Sequence, residues 1–362
     1  MKKLLLFFIC LLLSGCIERE TIDDLLIEAA KAYDLVEEDK IEGTALFPKY
    51  LADQSIENVT LSATASTSRE VLERIERKSQ LPLVRGGLEV VILGEDLAKD
   101  GIIDIADSLQ RDASIGSRVY LIVSEGKGKT ILEGQYGAKG NGIYIANLIK
   151  QNVERRELPK TNLHLFLHDH FQKGKSPYLP IIRRLNNNTL EVTGVALFKE
   201  DKMIGKVHSD DIFFFKLLVD KFSEGSHVVK LGKGKAGAEK RIEASVTSLR
   251  SVHDIEINQD STPLEVIIKI KLKGIIKEFT GEALTPQKVK AVEKKMESDI
   301  KEVTEKLLKR FQKSGIDPAG IGQRQKHGVR GFDFKKWEKS IYPNVKFKVK
   351  ADVTIVESGT VE

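Results

Sequence analysis

Residues 13–16 read Leu13-Ser14-Gly15-Cys16, directly behind an apolar run over 4–13 that Lys2 and Lys3 precede. A positive start, an apolar core too short to cross a bilayer and small residues before a cysteine make a secretory signal of the lipoprotein type. The sequence therefore predicts cleavage between Gly15 and Cys16, with a diacylglycerol thioether and an N-acyl chain on Cys16. At about 0.8 kcal/mol per buried CH₂, two or more acyl chains anchor stably where one is marginal. The consequence for folding is severe. Of the two cysteines in the chain, Cys10 leaves with the signal and Cys16 carries lipid, so no disulfide forms within the exported part or to a partner. Packed cores alone must hold it together.

The chain beyond the signal is too long for one core at about 100–200 residues per domain. We divide the chain into 1–15, the signal; 16–24, the lipidated Cys16 and an acidic tether; 25–190, an N-terminal α/β domain with room for two subdomains; and 191–362, a C-terminal α+β domain. The formal net charge of +5 is spread over interspersed Lys, Arg, Asp and Glu, which is no nucleic-acid footprint. Nothing beyond the signal is a candidate membrane span. The expected class is α+β or mixed α/β, a multi-domain ectodomain with an antiparallel C-terminal sheet and one long helix packed on it.

The stretch after the tether, to Lys40, reads as helix by propensity. Residues 59–66 alternate like a strand, and Ser68 is placed to cap a helix carrying Val71, Leu72 and Ile75. The run 88–93 fits a buried strand, 97–109 a helix and 119–123 a second strand, an order that favours a parallel pair. A helix is expected over 143–155. Residues 163–170 alternate as a strand, and 174–188, with Pro177, Pro180 and three asparagines, read as irregular connection. A hairpin over 190–207 with its turn at Glu200-Asp201 precedes a helix started by Ser209, Asp210 and Asp211. Further on, 242–246 alternates as a strand. In the next strand Leu264, Val266, Ile268, Ile270 and Leu272 share one face, with Lys269, Lys271 and Lys273 on the other. Thr285-Pro286 opens a long helix with apolar residues every three or four positions as far as Gly315, expected to lie across the sheet. Residues 346–355 alternate as a closing strand.

Signatures of chemistry are scarce. Gly232-Lys233-Gly234-Lys235-Ala236-Gly237 fits G-x-G-x-x-G, but the alternating residues after Arg241 predict a strand where a dinucleotide loop needs a helix. Gly128-Lys129-Thr130 resembles the end of a phosphate loop whose first glycine would fall on Val123. His164, His168 and His170 share a face if 163–170 is a strand and are weak metal candidates; no second cluster completes a site, so an exposed strand face is the simpler reading and no metal is assigned. No G-x-S-x-G elbow and no free thiol nucleophile are present. We expect no catalytic residue and no cofactor.

In order and spacing these segments resemble the Ger(x)C family, the lipoprotein C subunits of spore germinant receptors. The resemblance rests on Gly15-Cys16 and the acidic tether; the strand over 88–94 leading into Glu95-Asp96-Leu97-Ala98; and 107–112, ending Arg111-Asp112, ahead of the strand at Val119. It continues with Gly194-Val195-Ala196-Leu197-Phe198, residues 202–205, Trp337, Tyr342-Pro343 and the alternating strand closing at Gly359. The chain departs from the family in having Ile17 where tryptophan is usual, and the family's early glycine-containing strand falls here on 29–34. The resemblance implies a non-enzymatic ectodomain outside the spore inner membrane, held there by lipid and working with the A and B subunits of a receptor. A lipid-anchored solute-binding protein of a transporter is the alternative; it shares the anchor but needs two lobes around a cleft, which the strand-rich last third does not suggest.

Overall fold

The computed structural model describes residues 24–155, 157–220, 224–233 and 241–358. The lipoprotein motif at 13–16 and positions 234–237 of the glycine-rich run lie outside the described residues. The chain enters through β1 (Leu26–Ile27), β2 (Ala30–Glu37), β3 (Lys40–Tyr50) and β4 (Ile56–Ala65), followed by helix α1 (Ser68–Glu76) and β5 (Leu83–Val84). Next come β6 (Val90–Gly94), α2 (Glu95–Asp100), α3 (Ile103–Arg111), β7 (Tyr120–Ser124), α4 (Gly128–Leu132), α5 (Asn141–Arg155) and α6 (Leu163–Phe171). Then follow β8 (Tyr178–Asn186), β9 (Thr189–Lys199), β10 (Lys202–His208), α7 (Ser209–Val219), β11 (Gly225–Lys233) and β12 (Arg241–Asn258). The chain closes with β13 (Glu265–Phe279), α8 (Pro286–Ser314), α9 (Ile321–Gly328), short helical turns over 334–344, and β14 (Lys346–Ser358).

Eight strands form one sheet in the order β10-β9-β8-β7-β6-β2-β3-β4. The central pairs β2/β6, β6/β7 and β7/β8 are parallel and the flanking pairs antiparallel. Side chains alternate across this sheet, so each strand feeds two cores. Val91, Leu93, Leu121 and Val123 face α1, α2, α3 and α6 on one side. Val90, Ile92, Ile122 and Leu197 face α4, α5 and α7 on the other, in a core that continues without a break into the second sheet.

That second sheet runs β11-β12-β13-β14, antiparallel through β13, with β14 added parallel to β13. Thr285 Oγ1 accepts the Lys288 N–H, Pro286 takes the first turn, and Gly315 ends α8 in the left-handed conformation, as the sequence predicts. Val292, Met296, Ile300, Leu307, Leu308 and Phe311 of α8 are buried against the sheet, and Phe311 meets Phe215 of α7 edge to face. The same helix covers an open sheet edge: Glu293, Glu297 and Glu305 accept the backbone N–H groups of Ile355, Val353 and Val349 on the outer side of β14, at 2.8, 3.1 and 3.3 Å.

Four segments differ from the sequence expectation, each for a physical reason. The stretch to Lys40 is β1 and β2 rather than helix; β2 lies between β3 and β6, where Ala30 and Ala32 are fully buried, and tertiary pairing overrides helix propensity. Residues 163–170 lie in helix α6, with Asn162 Oδ1 accepting the Leu165 N–H and Leu163, Phe166 and Leu167 buried at helical spacing. Residues 178–186 are strand β8 rather than irregular; pairing to β7 begins at Ile181, just past Pro180, so the missing N–H does no harm. The helix over 97–109 is broken into α2 and α3 at Gly101 (φ 139°). There Asp201, from the β9–β10 turn, accepts the N–H groups of Ile102 and Ile103 at 3.1 and 3.2 Å. The cap of α1 is Thr67 rather than Ser68. Position 190/191 falls inside β9, whose sheet neighbours are β8 and β10.

Candidate functional site

In an open α/β sheet the usual ligand crevice lies past the carboxyl ends of the parallel strands, with a helix N-terminus facing it. Here that place is taken by the protein itself. Asp34 of β2 accepts the N–H groups of Gly128 and Lys129 at the start of α4, at 2.6 and 2.9 Å. A Cβ at Gly94, the end of β6, would run into the same carboxylate. Burial pushes the Asp34 pKa up against the pull of these two N–H groups. Lys129 is in turn paired with Glu42 at 2.7 Å. The first two amides of Gly128-Lys129-Thr130 are thus taken by Asp34, and Gly232 and Lys233 of the glycine-rich run lie in β11, with Lys233 in register with Arg241 of β12.

The three candidate histidines sit on α6 rather than on a strand, which changes their relation. His164 and His168 are one turn apart and exposed, while the His170 ring is half-buried and stacked on Phe166. His168 Nδ1 lies 3.0 Å from Asp169, whose other oxygen pairs with Lys175 at 2.9 Å. Among the described residues no three His, Cys, Asp or Glu side chains are grouped to hold a metal.

Two junctions that motif reading missed join the two sheets. A groove of about 510 Å³ runs between the start of α7, β11 and α8. In it His227 stacks on Phe213 and meets Phe214 edge-on. Burial lowers its pKa despite Asp299 at 3.9 Å, and Glu157 accepts the Ser226 N–H at 3.0 Å. The second junction is a clasp between 174–176 and the start of α9. Ser176 N–H donates to the Asp317 carbonyl and Asp317 N–H to Ser176 Oγ, both at 2.9 Å, and Gln323 N–H donates to the Gly174 carbonyl. The Asp317 carboxylate accepts the Gly322 N–H at 2.7 Å, leaves Oδ1 without a hydrogen bond, and is pushed by burial to a pKa of about 6. Tyr342 Oη closes the clasp on the Ile316 carbonyl at 2.7 Å. Asp317-Pro318 with Gly320 is a turn signal that sequence reading had within reach.

These features define the class first: an α+β protein built on two main sheets, beside the short β1/β5 pair, whose conspicuous polar groups are directed at its own backbone and at the joints between its halves. The comparisons agree with that class and narrow it. Residues 18–184 match the family described as the spore germination protein N-terminal domain, and 193–359 match the family described as spore germination B3/GerAC like, C-terminal. Spore germination protein GerQC of Bacillus cereus is 34% identical over 366 residues, covering all of both chains. Putative spore germination protein YfkR of Bacillus subtilis (strain 168) is 23% identical over 389 residues, covering 99% of this chain and 96% of that protein. The crystal structure of the GerBC protein superposes with a TM-score of 0.55 at 14% identity, over 90% of this chain and 97% of that one, a likeness that bears on the fold. The chain belongs to the Ger(x)C spore germination protein family, as its motif order implies. No described helix is long and apolar enough to cross a membrane.

Proposed function

We propose that this chain is the lipid-anchored, non-enzymatic subunit of a nutrient germinant receptor, held by Cys16 on the outer face of the spore inner membrane and needed for receptor assembly with the A and B subunits. The observation that carries the reading is the pairing of a lipobox at 13–16 with full-length membership of a spore germination family that begins at residue 18. The filled crevice at Asp34 weighs against the solute-binding alternative, because the amides that would meet a ligand's anionic group already have a partner. Surfaces and joints, rather than a reacting centre, then carry the function.

The test is germination of spores carrying Cys16→Ala, or lacking the gene, followed by loss of optical density and release of dipicolinic acid across a nutrient panel. Loss of response to one nutrient class, with non-nutrient triggers intact, is the expected result. Normal germination of the Cys16→Ala spores would refute the anchored-subunit reading, and tight saturable binding of a nutrient to the purified protein would favour solute delivery instead.

A further inference from the structure

The entry point of the chain fixes which end of the large sheet lies near the anchor. Asp24, the first described residue, lies eight positions after Cys16, so the chain between them spans at most about 28 Å. It enters at the start of the parallel strands, where Ala30 of β2 is in register with Val90 of β6, Val90 with Tyr120 of β7, and Ala30 with Leu46 of β3. Past that row β3 and β4 continue together, from Phe47 opposite Val59 to Tyr50 opposite Ile56. At about 3.3 Å per residue this hairpin projects roughly 13 Å beyond the row.

Its tip carries two exposed apolar side chains at the strand end, ahead of the polar turn residues Asp53, Gln54 and Ser55. Tyr50 is 68% and Leu51 38% exposed, beside an outward Lys49 that pairs with Glu57 at 3.8 Å. Next to it lies a mainly apolar groove of about 310 Å³ on α5, lined by Ile143, Tyr144, Leu148 and Lys139. The groove and the hairpin are one surface: Gly140 sits against Ile56 and Pro48, and the Asn141 N–H donates to Asn58 Oδ1 at 3.0 Å.

We propose that this face, with Tyr50 and Leu51 foremost, docks on the lipid surface that holds the anchor; the proposal rests on lipid attachment at Cys16. The length and entry point of the tether favour the bilayer as occupant. So does the chemistry, since a tyrosine ring with a polar hydroxyl suits the headgroup level and Leu51 can enter the acyl boundary. Two such side chains bind weakly alone, but a short tether holds them at roughly millimolar effective concentration, where weak contact suffices. Docking of this kind fixes the orientation of the whole ectodomain over the membrane.

The experiment places an environment-sensitive nitrobenzoxadiazole dye on Leu51→Cys in the full lipidated protein, reconstituted in phosphatidylglycerol/phosphatidylethanolamine vesicles. Val36→Cys, exposed at the β2–β3 turn on the opposite end, is the control. Vesicle flotation, an emission gain of about twofold at 51 and quenching by spin-labelled lipid, with neither change at 36, is the expected result. Flotation without a change at 51 overturns the docking and leaves the anchor standing. Failure to float overturns the anchor and the docking with it. A change at 51 only in vesicles that also contain spore-membrane proteins overturns lipid docking in favour of a protein partner.

Discussion

Asp317 makes the clasp between the two halves sensitive to pH in an unusual direction. Burial raises its pKa from 3.8 to about 6, against the pull of the N–H groups of Gly322, Ile321 and Gly320 and of Lys175; Tyr342 is the other titratable group close by. A carboxyl with a raised folded pKa binds a proton in the folded state that the unfolded chain has released. Between pH 3.8 and 6 the folded state therefore holds more protons, and stability falls as pH rises through that window. At about 1.4 kcal/mol per unit, the loss from this group is about 3 kcal/mol once pH exceeds 6, and it is absent below 3.8. Asp317→Asn keeps an acceptor for the Gly322 N–H and removes the titration. Other carboxylates titrate in the same range, so the quantity to read is the difference in unfolding free energy between variant and parent, from urea titrations at pH 3.5, 5 and 7. That difference should move in favour of the variant by about 3 kcal/mol between the extremes. Parallel profiles, constant within about 1 kcal/mol, would refute the assignment of a strained carboxyl to the clasp.

Three further perturbations test other joints. Lys31 and Glu28 form an ion pair at 3.1 Å with both side chains at or below 2% exposure. Lys31→Met alone should cost about 3–5 kcal/mol, and the double change with Glu28→Leu should recover most of it, measured by chemical denaturation. Glu297→Ala removes an acceptor from the β14 edge and should cost about 1–2 kcal/mol, with Glu297→Gln milder, read by thermal unfolding. Asp34→Ala strands the amides of Gly128 and Lys129 and should cost about 2–3 kcal/mol, while Asp34→Asn, which keeps one acceptor, should cost clearly less, both read by chemical denaturation.

How far the fold could be read from the sequence depended on how locally each element is specified. α8 has its own start at Thr285-Pro286, a stop at Gly315 and an unbroken apolar face, and β13 shows its two-residue period in Val266, Ile268 and Ile270. The segments misread are those whose state depends on distant partners. Ala29 to Ala32 favours helix until β3 and β6 close on either side of it. The alternation of leucine with His164, Phe166 and His168 from 163 to 168 imitates a strand, yet burial selects Leu163, Phe166 and Leu167 and leaves Leu165 facing outward. The candidate sites were harder still. Asp34 gains its meaning from a helix 94 positions later, Asp317 from a hydroxyl 141 positions earlier, and His227 from rings on α7. No motif spans such distances.

The same long-range wiring bears on whether the two halves are separable. The family matches leave 185–192 between them, yet Arg184 pairs with Leu190 and Ile181 with Gly194 inside one β8–β9 hairpin. A chain ending at 190 keeps β8 but loses most of β9 and all of β10, exposing Leu179, Ile181 and Ile182, each at most 1% exposed in the whole protein. It also loses Asp201, which caps α3 from the β9–β10 turn. At about 25 cal/mol per Å² of apolar surface, opening a sheet face of that kind outweighs the few kcal/mol of net stability that a domain of this size possesses. A fragment covering 24–190 should therefore aggregate or remain unfolded by circular dichroism, whereas one extended to 220 completes the sheet and restores the cap of α3 but uncovers Phe213, Phe214 and Phe215 of α7, and should be more structured than 24–190 yet less stable than the whole chain. A stable, cooperatively melting 24–190 fragment would mean that the large sheet does not depend on β9 and β10.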